Sequence, residues 1–431
     1  MQKMTIILPS KTGLRAPSRR SILKGAGAVG LTSLIGGSSF GAARLIAGPP
    51  LTGLLVPQQR GPYQDNGATP WYANLGIGTP AQPLKIALDT GSNFIWSTSS
   101  LCDAPSNACK HYGGGEFTYQ DSKSFAWVDQ TPTPVSFGPW GTMMVETGTD
   151  TFTLATGAQS RTTFYLAASY TGQQFLELDW DGGIGFPSGS AYVQPGISFV
   201  MADLMNAGTI DPAYPYLSFN WNAATGVGTC QIGGTDPSAY DPTSGIIMPW
   251  APYTEFPDVE YIWSTPLQQY TVGSNIVAEN VMFALDSGSS QFKGDDDIMN
   301  ETLSLISVLE VPVTLTLGQS VGGGPGVITV GPSVYEVKIE AGEGQGETLP
   351  QFNPLGLTNL VLVGSVLMDQ LYTVFEYTVT GSAGSYTLSP ANMYLFNKVG
   401  GPQLIQPGTG TVVSAAVGGA KPVVSARARR P

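Results

Sequence analysis

The chain has 431 residues, 42% of them hydrophobic and only 12% charged, with a formal charge of -12. That size and apolar content fit two domains or one large bilobal unit and exclude a disordered chain. Its single histidine, His111, reads as an exposed loop residue, and with only three cysteines the chain lacks the residues for a His/Cys zinc site or a plausible Ser-His-Asp triad.

Residues 1–43 carry six Lys/Arg and no acid. Without them, 13 basic residues (19 less 6) face 31 acidic ones, a charge of -18. So acidic a body repels phosphates, and nucleic acid is not an expected partner. Within the segment, "SRRSILK" with Arg19 and Arg20 precedes a short Gly-rich apolar stretch and the small residues Gly41, Ala42 and Ala43. It resembles a bacterial twin-arginine signal peptide, which implies export to the periplasm or beyond. No other stretch reads as a membrane span, so none is expected once the signal is removed.

Residues 44–70, rich in Pro and Gly, read as a linker with only Arg44 and Arg60 as cations, and no conventional blocking propeptide is expected there. From Trp71 on, short apolar runs alternate with turn signals, the pattern of a mainly β protein. Strands are expected near 150–156, 161–168, 215–219, 229–233, 266–272, 279–285, 310–317, 326–330, 334–339, 360–363, 372–378 and 385–388. Helices are expected at 198–207 and 365–371. In an oxidising compartment, Cys102 and Cys109, with six residues between them, can close a short disulfide loop. Cys230 reads as a small buried residue. The acids of "GDDDIMNE" (294–301) read as a solvated loop rather than a metal site, because consecutive carboxylates cannot all face one ion. The stretch from residue 399 to 431 reads as a flexible tail.

An internal repeat organises the chain. "IALDTGSNFI" around Asp89 returns 197 residues later (286 − 89) as "FALDSGSSQF" around Asp286. Each copy has a later glycine after an apolar pair: Gly185 in "DGGIGF" and Gly364 in "LVLVGSVL". Two half-chains with one pattern suggest two similar lobes facing each other, 71–244 and 245–398. In each copy an apolar run buries the strand that ends on the acid. Gly91 and Gly288 allow a sharp turn and a close approach by the other loop. Ser92 and Ser289 can orient the carboxyls, while Thr90 and Ser287 can tie one lobe's loop to the other. If the loops meet about a pseudo-twofold axis, two carboxylates share one site and cannot both ionise easily. One then holds a proton while the other acts as a base on a water, with the protons belonging to the pair.

With these residues in view, the chain resembles the pepsin-type aspartic proteases over roughly residues 71–398. The likeness is carried by "LGIGTPAQPLKIALDTGSNFIW" (75–96), "FTYQDSKSF" (117–125), "WDGGIGFP" (180–187), "CQIGGTDPSAY" (230–240) and "LVGSVLMDQLYTVFEY" (362–377). It implies a bilobal fold of two β-barrel-like lobes with a cleft between them, catalytic Asp89 and Asp286 sharing a proton, no cofactor and no metal. The supporting residues carried over are Thr90, Gly91, Ser92, Ser287, Gly288 and Ser289. The partner implied is an extended peptide or unfolded protein, cut between large hydrophobic residues at acidic pH by a monomeric enzyme. Cys102–Cys109 matches a short disulfide loop of the family. The family's flap usually carries a tyrosine, and "VSFGPWGTMMVETGTDTF" (135–152) has none. Phe137 aligns by the glycine after it and Trp140 by "GTM"; only the indole could donate a hydrogen bond. A peptide-binding or inhibitor-like protein without turnover is the alternative that this departure raises.

Overall fold

The computed structural model describes residues 53–103, 109–137, 140–154 and 157–406. The signal-like segment and the end of the tail therefore lie outside the described residues. The fold is mainly β and bilobal, as expected, and the repeat in the sequence is a repeat in topology.

In the first half, strand Gln82–Asp89 follows Trp71–Ile77 in an antiparallel hairpin, with Ala73 opposite Ile86. Side chains along Trp71–Ile77 face the core at Ala73, Leu75 and Ile77, the period of a half-buried strand. Strand Gln82–Asp89 then runs parallel to Gly182–Gly185, which also pairs antiparallel with Ile95–Thr98. The second half repeats this unit. Asn275–Leu285 runs parallel to Leu360–Val363, which pairs antiparallel with Phe292–Gly294. In both halves the acid loop is thus flanked by two strands and closed by a third. Gly185, the last residue of its strand, and Gly364, just after the matching strand, have a steric reason: a side chain on Gly185 would strike the Phe94 carbonyl, and one on Gly364 would strike that of Ser289.

Six further strands of the same continuous sheet run across both halves. Strands Leu54–Arg60, Val227–Ile232, Tyr216–Asn222, Leu371–Thr380, Thr387–Asn397 and Ile246–Pro249 pair antiparallel in that spatial order. The halves join where Phe219 pairs with Thr373. Beneath that join Trp71 stacks on Trp221, with ring centroids 5.4 Å apart.

Three expectations change. The segment read as a linker contains strand Leu54–Arg60, with Leu54, Val56 and Gln58 buried. The side-chain oxygen of its buried Gln58 accepts the Trp221 indole N–H at 2.6 Å. The tail begins in an ordered way: Leu404 and Ile405 are buried, and the Gln406 N–H bonds the Val327 carbonyl at 2.9 Å. The acidic stretch is not a free loop but the start of helix Asp296–Leu309. Asp295 caps it, accepting the N–H groups of Asp297 and Ile298 at 3.0 and 3.2 Å. Acids at a helix N-terminus also oppose its dipole favourably.

Candidate active site

The two acid loops meet, and they exchange hydrogen bonds reciprocally. The Thr90 N–H donates to Ser287 Oγ at 2.9 Å, and the Ser287 N–H donates to Thr90 Oγ1 at 2.9 Å. Each hydroxyl then donates onward to the strand of the other half, Thr90 to the Leu285 carbonyl at 3.3 Å and Ser287 to that of Leu88 at 2.6 Å. Both side chains are fully buried, so each hydroxyl needs these partners.

This exchange fixes the carboxylates. Asp89 Oδ1 accepts the Gly91 N–H at 2.8 Å, and Asp286 Oδ1 accepts the Gly288 N–H at 2.9 Å. Ser289 donates to Asp286 Oδ2 at 2.5 Å, and Ser92 is buried at the matching place in the first loop. The glycines do more than turn the chain. A methyl group on Gly91 would overlap the Asp286 carboxylate, and one on Gly288 would overlap that of Asp89. Each acid therefore occupies the space that the opposite loop's glycine leaves open. Burial, then the charge of Asp286, push the Asp89 carboxyl up to about 8, against the pull of the Gly91 N–H and Ser92. A carboxyl raised this far keeps its proton in acid and can act as a donor beside the second carboxyl.

Strands Ala126–Ser136 and Thr142–Thr153 form a hairpin that takes in the flap segment, with the Phe137 N–H bonded to the Gly141 carbonyl at 2.9 Å. The two flap candidates differ in use. Phe137 is seated in an aromatic wall, edge-on to Phe94 at 5.1 Å, Phe175 at 5.0 Å and Trp96 at 5.9 Å. Trp140, half-buried, meets the edge of Phe175 at 6.3 Å and has the Lys293 ammonium 5.4 Å from its ring centroid.

Cys102 and Cys109 are bonded, with Cα atoms 5.4 Å apart. Cys230 is buried and free. His111 is not the exposed loop residue expected: it is buried, with Nε2 2.9 Å from Asp181 Oδ1. Asp181 also accepts the N–H groups of Lys85 and Gly115, both at 2.9 Å, so the histidine braces the loop beside the disulfide.

Sequence reasoning missed three components of the site. Residues 65–69 form a strap over the second acid loop, where Thr69 N–H donates to the Gly288 carbonyl at 2.9 Å and Ser290 N–H to that of Gly67 at 3.0 Å. The Tyr261 phenol is raised by burial first and then by the charges of Asp89 and Asp286. Lys293 is buried three residues beyond Ser290. The only sign of it in the sequence was a lone cation in an otherwise uncharged run, "SGSSQFKG".

A family model described as "Eukaryotic aspartyl protease" matches residues 70–382. Among curated proteins, the chain is 27% identical to gastricsin of Oryctolagus cuniculus over 246 residues, which is 56% of this chain and 59% of that protein. It is 26% identical to pepsin A of Bos taurus over 338 residues, 75% of this chain and 85% of that protein. Chymosin of Bos taurus is 28% identical over 238 residues, 53% of this chain and 57% of chymosin. The chain thus spans less than two-thirds of gastricsin and chymosin but most of bovine pepsin A.

Proposed function

Because the chain belongs to the eukaryotic aspartyl protease family, we propose that it is an endopeptidase whose catalytic groups are Asp89 and Asp286. The ionised member of the pair takes a proton from a water held between the carboxyls as the water oxygen attacks the peptide carbonyl carbon. The protonated member gives its proton to the carbonyl oxygen, forming a neutral tetrahedral diol. Collapse of the diol returns a proton from a hydroxyl to the pair and delivers one to the amide nitrogen as the C–N bond breaks. No covalent enzyme intermediate forms. The reciprocal bonding of Thr90 and Ser287, with each loop's glycine against the opposite carboxylate, is the observation that supports this reading.

The substrate lies extended between the hairpin and the acid loops. The half-buried Phe137 and Trp140, packed against the core rings Phe94, Trp96 and Phe175, support large hydrophobic residues at the cut bond. Both acids come from one chain, so a monomer suffices. The disulfide supports an exported protein, and the twin-arginine segment supports that route. A flap without a tyrosine favours the second reading, a peptide binder without turnover. One assay separates the two. An unfolded protein is incubated from pH 3 to 7 with the protein, Asp89→Asn and Asp286→Asn, with and without a statine-type mimic of the diol. Cleavage by the parent alone, blocked by the mimic, is expected. Mimic binding without cleavage selects the binder, and equal cleavage by all three proteins rejects the dyad.

A further inference from the structure

Lys293 is a buried cation that the proposed chemistry does not use. It lies on strand Phe292–Gly294, which leaves the second acid loop, and is 2% exposed. Its Nζ donates to the Gly67 carbonyl at 2.7 Å and stands 5.4 Å from the Trp140 ring centroid. The ion pairs among the described residues are Arg60–Glu340, Lys85–Asp179, His111–Asp181 and Arg161–Asp150; none includes Lys293. A buried ammonium is costly unless its charge and protons are compensated. Here a carbonyl and the face of an indole supply the direct compensation. Burial brings its pKa down to about 8, opposed by the charges of Asp286 and Asp89, so at pH 5 it is charged.

The three groups belong to separate parts of the molecule. Trp140 is at the tip of the hairpin, Lys293 is in the second half, and Gly67 is in the strap. Gly67 has φ +79°, and there its carbonyl serves both Ser290 N–H and the ammonium. A side chain on Gly67 would press on Nζ. One ammonium thus ties the hairpin tip to the opposite wall of the cleft.

We propose that Lys293 is a positioning residue of the cleft, holding Trp140, and with it the hairpin, closed over a bound peptide through an ammonium–indole contact. The inference rests on reading the site as a peptide cleft, but it does not require turnover. A desolvated contact of this kind corresponds to about a threefold to thirtyfold effect on affinity.

The test is a double-mutant cycle on binding of a hydrophobic statine-containing peptide at pH 5, measured by calorimetry. Lys293→Met keeps length and apolar bulk, a change that buried ions often tolerate without loss of fold. Thermal melts of every variant check folding. Lys293→Met and Trp140→Leu are each expected to weaken binding about threefold to thirtyfold, and the double variant no more than the worse single one. Lys293→Arg, which keeps the cation, should bind within about threefold of the parent. Unchanged affinity in Lys293→Met, multiplicative losses in the double variant, or failure of Arg to restore binding overturns the proposal. So does a parent protein that does not bind the mimic. A parent that binds the mimic but cleaves nothing defeats the enzyme reading alone and leaves the cycle readable.

Discussion

Replacing Asp89 by Asn should abolish hydrolysis and, at neutral pH, stabilise the fold. In the folded chain this carboxyl is pushed up from 3.8 to about 8, by burial first and by the charge of Asp286 second. The sign follows from which state holds the proton. Below pH 3.8 folded and unfolded chains both carry it, and the protonated group's contribution to stability is fully present. As pH rises the unfolded chain releases its proton first, so stability is lost until the folded pKa is passed. Each pH unit in that window costs about 1.4 kcal/mol. From pH 3.8 to 7.5 the parent therefore gives up about 5 kcal/mol that an uncharged Asn does not. With an unfolding entropy of about 2.1 cal/mol/K per residue over roughly 350 folded residues, the variant should melt about 7 °C higher at pH 7.5. At pH 3.5 the two melting points should coincide. Asp369, raised to about 6 chiefly by burial, titrates in both proteins and cancels in the comparison. Melting curves that keep the same separation at both pH values would show that Asp89 is not held protonated by the fold, and the shared-proton account would fail with it.

The remaining predictions concern the frame around the acids. Gly91→Ala and Gly288→Ala each put a methyl group into the opposite carboxylate, so each should lower kcat/KM by more than about a hundredfold on a peptide substrate. Activity within tenfold of the parent would mean that the loops are further apart than described. Thr90→Val removes the hydroxyl that accepts the Ser287 N–H and donates to the Leu285 carbonyl, keeps shape, and leaves the Thr90 N–H to Ser287 bond in place. It leaves the buried Ser287 N–H unpaired and should cost about 1–3 kcal/mol in urea denaturation, with Ser287→Ala similar.

The acid loops were legible because their signal is local. An apolar strand, an acid, a hydroxyl residue and a glycine are consecutive, and the repeat of that pattern gave the pseudo-symmetry. What stayed hidden depends on partners distant in sequence. His111 looked like a loop residue because the carboxylate that buries it, Asp181, lies 70 residues on. Strand Leu54–Arg60 carries Pro57 and an inward glutamine, so composition favoured a linker; its strand character comes from Val227–Ile232. Helix Asp296–Leu309 was obscured by its own cap. Consecutive acids read as solvated, although Ile298, Thr302 and Ile306 follow at helical spacing and are buried. Lys293 gave no signal of its role, since neither Trp140 nor Gly67 is near it in sequence.

Holding two carboxylates together costs stability, and the fold must prevent the halves from drawing apart to relieve it. It does so at three levels. Strand pairing joins them through Phe219 and Thr373, the acid loops join through Thr90 and Ser287, and the strap joins through Thr69. Its N–H bonds Gly288 of the second half, while its carbonyl accepts the Trp180 indole N–H of the first at 3.1 Å. All three connections are buried. The hairpin over the cleft is built differently. Strand Ala126–Ser136 is exposed along nearly its whole length, and its pairing slips twice, between Trp127 and Asp129 and between Asp129 and Thr133. Segments with few buried contacts open at the lowest free energy. The outer strand of the hairpin is held by few buried contacts, whereas its partner Thr142–Thr153 is anchored by Met143, Val145 and Phe152. Near its tip, Phe137 packs into the first half and Trp140 meets Lys293 of the second. On the reading proposed above, these two aromatic residues and the cation against one of them are the contacts through which a bound peptide would be held under the hairpin.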